Sequence, residues 1–423
     1  MFMKKQNKKR GFTITELVVV ISVIAILSAV LIPTFSGIIA KSKMSADQQA
    51  VRQMNVQLST ITEENSGFET ALEVLDEAGY NALDTLVPVS KNHAFYWDNE
   101  AKTIVLVDAD KNVVYPKDHK NAYSASWKNL RDDGVKEMPN VNITETTDLI
   151  TALDLGAKKV TLTEDMTIKG TIAVAEGANT VIDLNGKTLD ASKNSARPFD
   201  IFGDTTLTID ATGSEVKVGK YGLVNVTAGS NANITINGGT YTANKDSENG
   251  AFIKVRPNAT ANITLNNVNY IDTTGENYLM NALDAESATV TVNGGTYQAF
   301  YGFNAYQVNI SDATIITEGK AIDIEGNAGD STLTNCKITA GDAADNAGYA
   351  AYGAIFVSNS NKLTADNCEI TTNGDIVAYF VANTGGEIIA TNAKGAVTTG
   401  STTSVDAGKF IKITVNGEEK VNK

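Results

Sequence analysis

Few side chains in this 423-residue sequence are equipped for chemistry. There are two histidines, His93 and His119, and two cysteines, Cys336 and Cys368, while the only arginines beyond Thr147 are Arg197 and Arg256. General acid–base catalysis draws most often on His, so this inventory narrows the reactions available. Acids are plentiful, among them Asp200, Asp204, Asp272, Asp284, Asp323 and Glu325, and near Lys254 or Arg256 they could serve an acidic substrate. A solvated acidic face is the simpler reading, and the cysteines lack metal-ligand spacing, so no catalytic residue, metal or cofactor is expected. One position stands apart, because Glu16 is a lone carboxylate at the threshold of the apolar run Leu17–Ala40.

The element that holds Glu16 is a membrane-length helix. No charge interrupts Leu17–Ala40, and 24 helical residues at about 1.5 Å each reach about 36 Å, enough to cross a bilayer. Residues 1–11 hold five Lys or Arg and no acid, leaving a charge of −19 on the rest of a chain whose net charge is −14. That basic block is expected to stay cytoplasmic, sending the chain beyond Ala40 outward. The acidic remainder makes nucleic acid an unfavourable partner. In an ordinary secretory signal the small residue comes after the apolar segment, whereas here Gly11 precedes it.

The run Arg10-Gly11-Phe12-Thr13-Ile14-Thr15-Glu16-Leu17, followed by apolar residues and Pro33, resembles the class III signal of type IV pilins, pseudopilins and competence pilins. The resemblance covers about the first 45 residues. It implies that a prepilin peptidase cuts after Gly11, removing leader 1–11, and N-methylates Phe12. Glu16 would then pair with the Phe12 amino group of a neighbouring pilin subunit. A carboxylate is favoured near a helix N-terminus but costly in hydrocarbon without a cation, so this pairing would set the register of assembly. Pro33, where the family places its proline, is expected to kink the helix or melt one turn. The implied locations are the cytoplasmic membrane, crossed once, and then an extracellular filament.

The helix is expected to span 12–66, its outer part amphipathic with Met44, Val51, Met54, Leu58 and Ile61 on one face. Residues 67–130 read as a small α+β, pilin-like domain: a helix near Phe68–Ala78, then strand-like runs HAFYW, TIVLVD and NVVYP. Trp97, Tyr96 and Tyr115 read as core rather than as a sugar platform. Residues 131–146, with Gly134 and Pro139 among charges, read as a linker.

From 147 to 423 the composition shifts to Thr, Asn, Gly, Val and Ile, and blocks such as LTIDATGSEV, ITINGGTY and VTVNGGTY recur. Aligning one inward position per block gives Leu162, Leu184, Ile209, Ile236, Leu265, Val292, Ile310, Leu333, Ala365 and Ala390, with spacings from 18 to 32 and mostly in the twenties, which mark a solenoid whose insertions fall at loops. Each block reads as strand, tight turn, strand, with a second apolar column at Tyr241, Tyr270, Tyr297, Ile315, Ile338 and Ile370. The residue after each aligned position, such as Asn185, Asp210, Asn237, Asn266 and Asn293, is expected to form a polar ladder. The blocks resemble the right-handed parallel β-helix of the pectin-lyase-like superfamily, with DLITALDLG as its capping helix. The fold class is thus mainly β, after a long N-terminal helix and a small α+β domain. Cys336 and Cys368, at equivalent points of neighbouring blocks, are expected about one strand spacing apart, as a disulfide or as two buried thiols. The N-x-T triplets at Asn233, Asn258 and Asn262 read as ladder and strand residues rather than glycan acceptors.

Two functions remain. The first is a minor filament subunit that displays the β-helix as an adhesion module for a surface glycan or protein. The alternative is a tethered polysaccharide lyase or glycoside hydrolase. The GHG and Arg-Pro-x-x-Arg patterns of pectinases are absent. Clustered Asp with Lys254 or Arg256 on one groove would favour the enzyme, and a groove of Thr, Asn and Tyr the binding module.

Overall fold

A helix start is written into Thr13-Ile-Thr-Glu16, a Ser/Thr-x-x-Glu capping pattern, and α1 runs from Ile14 to Leu58. The structure, a computed structural model, describes residues 13–61, 67–243, 250–272, 280–324, 329–341, 355–357, 361–372, 380–382, 387–392 and 412–420. Pro33 does not interrupt α1. Proline removes one backbone bond, but the hydroxyls of Thr34 and Ser36 donate back to the carbonyls of Val30 and Ile32 at 2.8 and 2.9 Å, and the turns around it persist.

The chain forms two compact units, Met1–Tyr80 with Asp84–Arg131, and Asn81–Leu83 with Asp132–Lys423. In the first, the outer part of α1 buries Val51, Met54 and Leu58, as the apolar stripe predicts, whereas Met44 is only half-buried. The same unit contains α2 (Phe68–Glu77) and an antiparallel sheet of β1 (His93–Asp98), β2 (Thr103–Asp108), β3 (Val113–Tyr115) and β4 (Lys128–Asn129), in the order β3-β2-β1-β4. Asn55 of α1 stitches helix to sheet, donating to the Ile104 carbonyl at 2.8 Å and accepting from its N–H at 2.7 Å. Trp97 and Tyr96 are buried, and Tyr96 packs with Val105, Val107 and Trp127. Those rings are core, as their alternation in short strands suggests.

The second unit is a solenoid of stacked parallel strands. Residues 131–146, expected as a linker, include strand Val141–Ile143, which pairs in parallel with Lys159–Leu162. Helix Thr146–Asp154 comes next, burying Leu149, Ala152 and Leu153 where the capping helix is expected. Beyond it each full coil contributes to three sheets, not the two expected from sequence.

The first sheet aligns Val160, Ile182, Ile209, Ile236, Leu265, Val292, Ile310, Leu333 and Ala365. The sequence alignment is therefore out by two residues in its first two coils, where Val160 and Ile182 replace Leu162 and Leu184. A slip of two keeps the same face inward, so alternation alone does not detect it. The second sheet runs Val216, Tyr241, Tyr270, Tyr297, Ile315, Ile338 and Ile370, containing the whole expected column. A third sheet, unexpected from the sequence, is built from short strands including Phe199–Ile201, Val224–Val226 and Ile322–Ile324.

The turn between the first two sheets carries the polar ladder. Asn266 donates to Asn237 and Asn293 to Asn266, both at 2.8 Å. Here the ladder member of the second coil is Asp183, not Asn185, for the same two-residue reason. One residue further on, the backbone turns left-handed, at Asn267, Asn335 and Asn367 with φ of 52°, 55° and 53°. Asn tolerates this conformation better than other non-Gly residues, which accounts for its recurrence there.

Candidate functional sites

The entrance of α1 is the first candidate. Gly11 and Phe12 lie outside the described residues. Glu16 closes a capping box with Thr13: its carboxylate accepts from the Thr13 N–H and hydroxyl, each at 2.8 Å, and the Thr13 hydroxyl accepts from the Glu16 N–H at 3.2 Å. Within one chain, Glu16 therefore satisfies a helix end before it meets any neighbour. The sequence signal for this second role is the Thr13-x-x-Glu16 spacing, which the pairing with Phe12 alone does not draw on. Behind it stands a helix long and apolar enough to cross a membrane, with apolar side chains exposed from Leu17 to Ile39.

The second candidate is a charged column on the outward face of the third sheet. Strand register places Asp200, Asn225, Lys254, Asp284, Asn304 and Asp323 side by side on successive coils. Asn225 donates to Asp200 at 2.8 Å and accepts from Arg256 Nε at 2.8 Å, so Asp200 holds Arg256 through an amide. Lys254 pairs with Asp284, and Lys320 with Asp323. Arg197 joins this group from the loop before strand Phe199–Ile201. Burial pulls its guanidinium down to about 10, the charge of Arg256 adds to the shift, and Asp284, Asp200 and Tyr221 oppose it. Its buried Nε has no partner among the described residues. The solenoid's two arginines, 59 positions apart in sequence, thus converge on one face, with Lys254 among the same side chains.

Successive coils are about 4.8 Å apart, so Asp200 and Asp284, three steps apart, are separated by about 14 Å. Hydrolytic carboxylate pairs stand about 5–5.5 Å or 6.5–9.5 Å apart. Asp284 and Asp323, on strands two steps and about 10 Å apart, stand at the far edge of that range, and each is paired with a lysine. Asp204 is exposed on the first sheet and Asp272 is buried beyond strand Thr260–Ile271, so neither joins the column; Glu325 lies outside the described residues. Among the described residues no group of His, Cys, Asp and Glu is arranged to hold a metal ion.

Elsewhere the functional types are spent on structure. Cys336 and Cys368 are free, buried thiols at equivalent points of adjacent coils. The Cys336 sulfur beside it, and then burial, push the Cys368 thiol up. In the first unit, buried Asp98 accepts from His119 Nε2 at 3.0 Å, Asn121 at 2.8 Å and the N–H groups of Glu100 and Ala101. His119 also packs edge-on against Trp127, so the more enclosed of the two histidines is a strut.

Residues 6–32 match the family model described as the prokaryotic N-terminal methylation motif. No curated protein and no solved structure matches the chain.

Proposed function

We propose that the chain is a pilin-like filament subunit, a minor one, whose solenoid is carried outside the membrane as a non-catalytic binding head. The observation that carries this reading is the methylation motif at residues 6–32, continuous with an exposed apolar helix of spanning length. A prepilin peptidase removes residues 1–11 and methylates Phe12; other pilin subunits then receive the helix. The solenoid is bulky beside the small α+β unit, which suits an occasional subunit better than a densely repeated one. Mass spectrometry of the native N-terminus tests the processing step. N-methyl-Phe12 is the expected first residue, and an intact Met1 in cells that make filaments overturns the reading.

A second reading, a tethered polysaccharide lyase, is favoured by the convergence of Arg197, Arg256, Lys254, Asp200 and Asp284. A lyase needs a base and a counter-charge for an acidic substrate, and this column holds both kinds of group. Against it, Lys254 is paired with Asp284 and Arg256 bonds to Asn225. Release of unsaturated ends from a uronate polymer, lost in Arg197→Ala, would establish the lyase; no release from any such polymer leaves the binding head.

A further inference from the structure

The first sheet turns a different face outward from the charged column of the third. Its central outward column is Thr208, Thr235, Thr264 and Thr291 on four successive coils. Each of these threonines is partly exposed, and none of their hydroxyls has a partner among the described residues. The flanking amides behave in the opposite way. Asn262 donates to Asn233 at 3.0 Å on one side, and the Asn237–Asn266–Asn293 ladder runs along the other. Rows of hydroxyls with bonding capacity to spare therefore lie between amides locked to one another.

This face is also uncharged. From Asn231 to Ser311 the outward positions of the first-sheet strands, fifteen in all, hold only Asn, Thr, Ser and Gln. At the chain's 20 % charged content, about three of fifteen would be expected to carry charge. Charges return on the coils either side, at Asp210 and Asp330.

We propose that this Thr and Asn lattice is a docking surface for a neutral polysaccharide, a partner that rests on the binding-head reading above. A uronate or nucleic acid chain would find no cation here and a protein of strong negative charge around it. A neutral glycan presents what the lattice lacks a partner for: hydroxyls that donate and accept, as threonine hydroxyls do, repeated along a flat ribbon. The coil repeat fixes the lattice at about 4.8 Å, so several sugars engage rows that are already ordered and little conformational freedom is lost on binding.

The test uses the full chain in detergent micelles, sedimented with microcrystalline cellulose, an insoluble β-1,3-glucan and calcium pectate gel. The expected result is retention on at least one neutral polymer, unchanged between low and about 1 M salt because no ion pair is involved. Joint Thr235→Val and Thr264→Val substitution keeps side-chain shape and removes two hydroxyls, and is expected to weaken retention by about tenfold or more. The Thr235→Ser and Thr264→Ser pair is expected to retain it. Circular dichroism of each variant confirms that the solenoid persists. Retention on pectate alone, no retention on either neutral polymer, or retention indifferent to the Val pair would overturn the proposal. So would shaping of ice crystals that disappears in the Val pair without any glycan retention. Filament incorporation of the same variants separates the two readings: intact incorporation with no glycan binding defeats this inference alone, whereas an unprocessed Phe12 defeats the filament reading alone.

Discussion

Buried carboxylates show how single residues divide between function and scaffold here. Asp47 lies in the apolar stripe of α1, fully buried, and accepts from the N–H groups of Val89 and Ser90 at 2.7 and 2.9 Å. Its spacing from Met44 and Val51 puts Asp47 on the apolar face while its charge suits the wet one, and nothing local announces a loop 42 residues away that needs its acceptors. Asp47→Ala is expected to destabilise the first unit by about 1–3 kcal/mol, read as a lower melting temperature, since the buried Ser90 N–H and the more exposed Val89 N–H both lose their partner. Asp98 offers a pH test. Burial alone would push its carboxyl up, but bonds from Asn121, from the N–H groups of Glu100 and Ala101, and the charge of His119 outweigh burial and hold it below its ordinary 3.8. A carboxyl depressed in the fold contributes stability that is present above its unfolded value and lost as pH falls through the folded one. The melting temperature is therefore expected to drop more steeply below about pH 4 in the native chain than in Asp98→Asn, which removes this titration. Equal slopes would show that Asp98 contributes nothing to the acid transition.

At the scale of elements, what is legible in the sequence depends on how many residues repeat a signal. Two sheets of the solenoid are readable because Thr–Ile–Asn and Gly–Gly–Thr–Tyr blocks recur at the turn that joins them. The third is not, because strands such as Val224–Val226 and Ile355–Val357 are only three residues long and the loops around them vary in length. That is also why the charged column reads in sequence only as separate acids and bases. Strand chemistry makes two further outcomes measurable. Tyr241, Tyr270 and Tyr297 occupy one column of the second sheet as fully buried rings, and their hydroxyls have no partner among the described residues. Tyr270→Phe is expected to cost less than about 0.5 kcal/mol or to stabilise, because it removes an unsatisfied polar group and leaves the ring in contact with Phe252. A loss of about 2 kcal/mol in thermal or urea unfolding would mean that the hydroxyl is bonded. Gly295 makes the contrasting case. Its φ is +98°, and a Cβ there would stand 2.1 Å from the Val268 carbonyl oxygen of the coil before. Gly295→Ala is expected to weaken the solenoid by several kcal/mol, visible as a lost or shifted unfolding transition.

For the molecule as a whole, the solenoid's first coil sets where the domain can be cut. A parallel stack leaves an open strand at its start, and an open strand is a template for aggregation unless something covers it. Here strand Val141–Ile143 covers Lys159–Leu162, and helix Thr146–Asp154 buries its apolar face over the same end. The outer side of that strand is occupied in turn: the Asn142 N–H donates to the Asn81 carbonyl at 2.9 Å, and the Asn142 amide to the Asn81 side chain at 2.8 Å. Composition places the domain start at Thr147, where Thr- and Asn-rich blocks begin, but the cap is made from ordinary apolar residues upstream, which carry no repeat to betray them. A fragment of residues 147–423 lacks strand Val141–Ile143 and bares the edge of Lys159–Leu162. It is expected to aggregate, or to express chiefly as insoluble protein. A fragment beginning at Asp132 keeps that strand and should remain soluble, though it loses the contacts of Asn81–Leu83, the Asn81 bonds and the Ala82–Asn142 bridge among them. Size-exclusion chromatography of the two at equal concentration decides the matter. Monomeric behaviour from both would show that the added strand is dispensable and that the helical turn alone protects the end of the stack.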